Sequence, residues 1–407
     1  MNFLRSLTWL LLPASVLRAS ASLDEALDRV DERLTVSSWG GRVRTRLSGT
    51  LDLEAYQVEQ PPPGLLQTGA HQLLIPRLTL FLDSQIGPKL YAFAQFRADR
   101  GFDPSDTPAE VRADEYAVRY TPWEDGRVSF QAGKFGTVVG SWRQRHLSWQ
   151  NPFITAPMAY EQILGIYDGE APSSFRDIVY VEPGSRYEYN PLIWGPSYTS
   201  GFQVAGVWGA FEYAAELKNA ALSSRPEAWD FTDTGFAHPT ISARLAYRPS
   251  PMWCFGVSGS EGSYMRPEAV PTFPDATGIG DYRQYLLGQE ASFAWHHFEF
   301  WAEVFEGRFE IPRYGNADTV SGYLEGRYKV TPQLYVAMRW NQQWFGEIRN
   351  DSGRMRSWGY ELRGLDTAVG FRPTAHTQIK LQWSVHQTTW RQLENAHTLA
   401  AQFTLRF

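Results

Sequence analysis

Apolar and polar residues alternate along most of the chain from Arg42 onwards. The first such segment places Val43, Leu47 and Leu53 on one face and Arg44 on the other. A period of two is the signature of a β-strand. The segment runs for about 14 residues, whereas strands of soluble sheets usually have about five or six. A tilted strand that crosses a bilayer needs about 9–11 residues, so the pattern favours membrane-spanning strands.

The connections between the alternating segments are short and long in turn. Long loops are predicted at 57–70, 101–112, 136–199, 221–239, 261–283, 310–318, 345–360 and 389–396. Sixteen segments joined in this way fit an even-stranded barrel with short periplasmic turns and long outer loops. A sandwich or propeller would have shorter strands and no such asymmetry. We therefore predict an all-β fold, a transmembrane antiparallel β-barrel of about 16 strands over residues 41–407.

Aromatic residues recur near the predicted strand ends. They are expected to form the girdle that outer-membrane barrels place at the membrane interfaces. The set comprises Tyr120, Trp123, Trp208, Phe211, Trp295, Phe298 and Trp340.

The first 40 residues follow a different pattern. Residues 1–21 combine an early arginine, an apolar stretch and a small-residue site, which predicts a signal peptide cleaved after Ala21. Residues 22–40 carry a stripe of Leu23, Leu27, Val30 and Leu34 at helical spacing. This short periplasmic segment is predicted to be helical, and three roles stay open: an exposed amphipathic turn, a small plug or a contact between protomers.

Composition excludes several classes of protein. The formal net charge of −6 argues against a nucleic-acid-binding protein. The single cysteine excludes a disulfide framework and cysteine-based metal sites. His296 and His297, with Glu299 and Glu303, lack the helical spacing of a zinc motif. We expect no catalytic residues, no metal and no cofactor.

Three segments resemble bacterial outer-membrane porins. The last eight residues, AAQFTLRF, resemble the C-terminal strand of outer-membrane proteins. The stretches Glu115 to Gly140 and Ser321 to Trp340 are similar to hairpins of the phosphate-selective porin O/P superfamily. The resemblance implies location in the cell outer membrane, recognition of the strand ending in Phe407 by the barrel assembly machinery, and a homotrimer. The lysine-rich phosphate site of that superfamily has no counterpart in this chain.

Charged residues on the inward faces of the strands predict two walls of the lumen. The pore-lining basic residues are expected to be Arg42, Arg44, Arg46, Arg77, Arg97 and Arg119. The pore-lining acidic residues are expected to be Glu290, Glu299, Glu303 and Glu325. Opposed walls of this kind would set a transverse field across the pore.

The loop 136–199 is far longer than the others and is predicted to fold inward and narrow the pore. Its candidate constriction residues are Trp142, Arg143, Arg145, Trp149, Tyr160, Glu161 and Asp168. Aromatic rings beside carboxylates suit sugars, whereas the arginines favour anions.

The predicted function is a porin for passive diffusion of small hydrophilic solutes or ions, with anion and sugar preferences both open. A lipase-like barrel enzyme and a polysaccharide export barrel are the alternatives. Neither nucleic acid nor a cofactor is an expected partner, whereas outer-membrane lipid is.

Overall fold

A computed structural model describes residues 24–30, 32–59, 71–101, 109–181, 188–274, 276–389 and 395–407. Sixteen strands within these ranges form one closed antiparallel barrel. They are β1 (Val43–Val58), β2 (Gln72–Ile86), β3 (Leu90–Asp99), β4 (Glu110–Tyr120), β5 (Ser129–Phe135), β6 (Thr199–Trp208), β7 (Phe211–Lys218), β8 (Thr240–Ser250), β9 (Trp253–Ser263), β10 (Arg283–Trp295), β11 (Phe298–Ile311), β12 (Gly315–Lys329), β13 (Leu334–Phe345), β14 (Leu362–Phe371), β15 (Thr377–Thr388) and β16 (Asn395–Arg406).

The barrel closes between its first and last strands. β1 pairs with β16 from Thr50 opposite Arg406 to Val58 opposite Thr398. Every other barrel strand pairs with its neighbours in sequence. Closure leaves no sheet edge unpaired within a membrane, which confirms the predicted fold class.

The two faces of the sheet differ as the period of two predicted. Outward-facing apolar side chains are exposed all around the barrel, as a surface in contact with lipid requires. They include Leu53, Val118, Phe202, Leu245, Val257, Leu287, Val304, Leu324, Met338, Val369, Leu381 and Leu399. Inward-facing side chains are polar and buried, and include Asp52, Gln131, Ser258, Glu290, Ser321, Arg339, Asp366, Lys380, Gln402 and Thr404.

The short turns join the strands at the end of the barrel where β1 begins and β16 ends, as expected. One predicted long loop is wrong: residues 310–318 belong mostly to β11 and β12, which are linked by residues 312–314 alone. The backbone pairing of these strands runs on to Ile311 opposite Gly315, and Arg308 pairs with Asp318 at 2.6 Å across the hairpin. The predicted aromatics are all exposed, but Trp340 lies within β13 and away from the turns.

Smaller elements lie outside the barrel wall. Residues 24–30 are helical, and Asp28 contacts His376 at 3.0 Å. A short strand, Thr35–Ser38, pairs with β1 beyond the point where β16 ends. The predicted signal peptide, 1–21, lies outside the described residues.

The loops at the long-loop end contain short elements of their own. The helical ones are Trp142–Arg145, Met158–Tyr160, Phe175–Val179, Pro226–Ala228, Phe231–Thr234, Pro267–Thr272 and Ile279–Asp281. The short helical segment Trp39–Gly41 lies at the other end of the barrel. Two small ribbons pair Ile163–Tyr167 with Tyr189–Pro191 and Glu347–Arg349 with Met355–Ser357. Among the described residues, no helix has the length and apolar character needed to cross a membrane.

Glycine is required where β5 meets β4. Gly133 has a φ of +139°, and a Cβ there would lie 2.2 Å from the Tyr116 carbonyl oxygen. We expect Gly133→Ala to lower the free energy of unfolding by about 2 kcal/mol or more, since it adds both backbone strain and a clash. Urea unfolding in lipid vesicles, followed by tryptophan fluorescence, measures the change. Gly209→Ala is the control, because Gly209 also has a positive φ of +60° but no atom within 4 Å of its Cβ position. Equal losses in the two variants would show that the close contact is unimportant.

Candidate functional site: a gap beside the inward loop

The loop 136–198 contacts side chains that point into the barrel. Tyr160 donates a hydrogen bond to Glu303 of β11 at 2.7 Å, and Tyr323 of β12 donates a second at the same distance. Ser141 of the loop donates to Glu303 through its hydroxyl at 3.0 Å. The carboxylate of Glu303 therefore fixes the start of the loop against one wall.

A buried ion-pair network holds the next segment. Arg145 pairs with Glu325 of β12, and its guanidinium lies 4.4 Å from the ring centroid of Trp301. Arg339 of β13 lies 3.6 Å from Glu325 and 2.8 Å from Asp366 of β14. Buried charges are tolerated only when paired in this way.

Lys380 of β15 binds the middle of the loop. Its ammonium donates to the carbonyl oxygens of Ser148, Asn151 and Phe153 at 2.8, 3.2 and 2.9 Å. The neighbouring Gln382 accepts hydrogen bonds from the backbone of Ile154 at 2.6 Å and of Thr155 at 3.2 Å. The loop is thus attached to β11–β15 along much of its length.

An apolar cluster fills the barrel beyond these polar anchors. It combines residues of the loops 136–198, 219–239 and 264–282 with inward-facing side chains of β10–β12, including Val139, Leu164, Leu192, Leu222, Met265, Leu286, Phe305 and Phe309. Asp168 and Arg225, both buried, join the first two loops at 2.9 Å. Apolar side chains therefore pack this part of the lumen.

The four glutamates expected on an acidic wall are therefore not an open lining. Glu303 and Glu325 are buried beneath the loop, 1% and 0% exposed. Glu290 pairs with Arg244, and Glu299 pairs with Arg327 and Lys329. The loop and neighbouring arginines occupy the carboxylates of these four inward-facing residues.

The opposite wall carries Arg77, Arg97 and Arg112, which we call the arginine row. Arg77 lies 2.9 Å from Glu54 and 3.3 Å from Asp99. The side chains of the row are 17–24% exposed, whereas their carboxylate partners are almost fully buried.

The rest of the row is paired in the same way. Arg97 lies 2.9 Å from Asp114. Arg112 lies 2.6 Å from Asp99 and 3.0 Å from Asp114. Charges of both signs therefore alternate along this wall.

Arg112 and Asp114 are not among the predicted pore-lining residues, because the loop 101–112 was predicted where β4 already begins at Glu110. A β-bulge also interrupts the pairing of β4 with β3. Gln95 pairs with Glu115, whereas the next residue, Phe96, pairs with Ala113. The extra residue reverses which side chains point inward. The partners Glu54 and Asp99 share the inward parity of the arginines, so alternation alone could have identified them.

A lateral gap of about 170 Å³ remains between the arginine row and the loop. The wall side of the gap presents Arg77, Arg97, Arg112, Asp99 and Asp114. The loop side presents Trp142, His146, Tyr160, Trp194 and Tyr198.

The aromatic side chains of the gap contact one another. The rings of Trp142 and Tyr160 lie 4.8 Å apart, and His146 and Tyr198 are hydrogen bonded at 2.6 Å. Burial is the main cause that lowers the pKa of His146 to about 4, so the imidazole is neutral at pH 7. The loop side of the gap is therefore aromatic and carries little positive charge.

The remaining predicted arginines do not line this gap. Arg42, Arg44 and Arg46 are exposed at the short-turn end. Arg119 donates to Gln131 at 2.9 Å. Arg143 lies 3.1 Å from Glu115.

Two loop residues differ in their surroundings. Trp149 lies beneath the guanidinium groups of Arg372 and Arg406, at 4.6 and 4.2 Å. Glu161 lines the gap and accepts a hydrogen bond from the backbone of Ala156 at 3.2 Å. Within the described ranges, no group of His, Cys, Asp and Glu has the arrangement of a metal site.

Comparison with known proteins identifies the architecture. No protein-family model and no curated protein matches the sequence. The outer membrane channel DcaP of Acinetobacter baumannii has a TM-score of 0.58 at 9% identity, over 91% of this chain and 99% of that one. An anion-selective porin from Comamonas acidovorans has a TM-score of 0.53 at 11% identity, over 90% and 100%. A loop-deletion mutant of the Vibrio cholerae outer membrane protein OmpT has a TM-score of 0.56 at 8% identity, over 90% and 100%.

At these identities the likeness concerns the fold, and the superfamily suggested by the sequence hairpins is not confirmed. The closed barrel is the shared feature, and the structural match extends over nearly the whole chain. Together with the apolar exterior and polar interior, they place this chain among the sixteen-stranded outer-membrane β-barrels.

Proposed function

We propose that the protein is an outer-membrane porin through which small hydrophilic solutes diffuse passively, without catalysis or a cofactor. The observation that carries this proposal is the lateral gap, a polar space between the arginine row and the loop inside a lipid-facing barrel. Because the loop and its apolar cluster fill the other half of the lumen, the channel is narrow and off-centre. A polysaccharide export barrel would need a wider pore.

The solved structures with this fold support the proposal through what their descriptions say of those proteins, a channel and an anion-selective porin. One OmpT structure is described as a trimer form, and we propose a homotrimer for this chain as well. Phosphate selectivity is not part of the proposal, since the superfamily resemblance has no further support.

The terminal segments have proposed roles in maturation and assembly. Cleavage after Ala21 would leave Ser22 as the first residue, which N-terminal sequencing of the membrane-inserted protein tests. Phe407 pairs with Gly49 through both backbone groups, at 2.9 and 3.0 Å. This pairing holds the terminal phenylalanine at the end of the β1–β16 ladder. We propose that the assembly machinery recognises it there.

Reconstitution of the purified protein into planar bilayers tests the porin proposal. We expect stepwise current increases in potassium chloride. Each step should be smaller than that of a sixteen-stranded barrel with an open lumen, because the loop occupies much of the lumen here. A folded, heat-modifiable preparation that inserts into vesicles but gives no steps would overturn the proposal.

A further inference from the structure

We infer that the lateral gap is a binding site for a neutral saccharide, with a sugar ring against the aromatic side and hydroxyls on the arginine row. This inference rests on the proposed porin function and names its solute class. It departs from the anion preference that the arginines suggest when they are considered without their partners.

Carboxylates outnumber guanidinium groups around the gap. The three guanidinium groups of the arginine row face the three carboxylates of Glu54, Asp99 and Asp114 at distances of 2.6 to 3.3 Å. Two further carboxylates, of Asp52 and Glu161, also line the gap. An anion entering here would meet fixed negative charge beside every arginine, so the row provides little net attraction.

Paired charges suit hydroxyl groups. A hydroxyl both donates and accepts hydrogen bonds, whereas an ionised carboxylate only accepts. The arginine row offers N–H donors, and the aspartates between the arginines offer carboxylate acceptors. The nitrogen and oxygen atoms of Arg112 and its two aspartate partners lie 2.6 and 3.0 Å apart. Neighbouring hydroxyls of one solute could engage both kinds of group at once.

The aromatic side supplies the complementary surface. Trp142 and Tyr160 form one tilted pair, and the rings of Tyr198 and Trp229 lie 5.8 Å apart in an edge arrangement. Flat apolar faces beside a few placed polar groups are typical of sites for small polar ligands. Trp142, at 5% the most exposed of these four residues, borders the gap, and the C–H face of a sugar ring can contact it there while the sugar hydroxyls face the opposite wall.

The size of the gap limits the solute. Its volume of about 170 Å³ equals that of about five or six water molecules in the liquid. One hexose unit fits this space, whereas a bulky or branched solute does not. A longer saccharide would have to pass one unit at a time.

Current block in single channels tests this inference. Glucose and maltose are added at rising concentration to open channels in potassium chloride, and phosphate and benzoate are added in separate experiments. We expect saturable block by the sugars and none by the two anions. Block by phosphate or benzoate alone would overturn the inference in favour of an anion site.

The controls separate this inference from the porin proposal. Stepwise conductance without any sugar block would overturn the saccharide site and leave the porin intact, whereas absence of conductance would overturn the porin itself. Trp142→Ala is expected to raise the half-blocking sugar concentration at least tenfold, and Trp142→Phe to restore part of the block. Trp208→Ala, at an exposed turn, is the matched control and should change nothing. An unchanged half-blocking concentration in Trp142→Ala would contradict the stacking role.

Discussion

Replacing Lys380 by Met is expected to raise the single-channel conductance several-fold and to make the current noisier. Lys380 is fully buried, and its ammonium binds three carbonyl oxygens of the loop segment 148–153. Hydrogen bonds to a charged group each contribute about 1.5–3 kcal/mol. Methionine has a similar length but no donor, so three buried carbonyls would lose their partner and the segment would move towards solvent.

The barrel itself should survive this change. Inward-facing substitutions are tolerated because the wall is held by backbone pairing, which Lys380 shares with Gln402 and Gly370 on the two neighbouring strands. Lys329→Met is the control, since Lys329 is exposed at the end of β12 and contacts only Glu299 among the ion pairs of the described residues. Heat modifiability on gels confirms folding before the bilayer recording. A folded Lys380→Met channel with the conductance of the unaltered protein would show that the other anchors hold the loop alone.

Replacing Arg97 by Gln is expected to shift the channel further towards cation selectivity. Arg97 is one of two arginines that pair with Asp114, at 2.9 Å beside the 3.0 Å contact of Arg112, so the change makes the net charge beside the gap more negative by one unit. A unit charge about 6 Å from a permeating ion contributes about 0.7 kcal/mol even in water, a factor of about three in relative permeability. The effect is larger where the gap excludes water.

The reversal potential across a potassium chloride gradient measures this shift. The double variant Arg97→Gln/Asp114→Asn removes both charges and should return the reversal potential close to that of the unaltered channel. If the reversal potential shifts equally in the single and double variants, Arg97 acts as an unpaired charge, and Asp114 does not compensate it. The exposed Arg42, Arg44 and Arg46 at the mouth have little influence on this comparison, because salt screens them within about 8 Å.

Much of the fold follows from local patterns that the sequence contains. Alternation of apolar and polar residues determined the strands and which side chains face lipid, because the period of two is a property of each strand alone. Short turns between long strands likewise determined the antiparallel order and the position of the termini. The aromatic residues at the turns and the inward direction of Arg77, Arg97 and Glu303 followed from the same parity.

The gap between the arginine row and the loop was decided only by contacts between distant parts of the chain. Glu325 is inward by parity, but whether it lines water or holds a loop depends on Arg145, which is 180 positions earlier in the chain. The bulge in β4 turns Arg112 and Asp114 inward through a register shift, and no local sequence pattern predicts that shift. The period of a strand specifies which side of the sheet each residue faces. The groups that its side chain contacts across the lumen depend on closure of the whole sheet and on where the long loop packs.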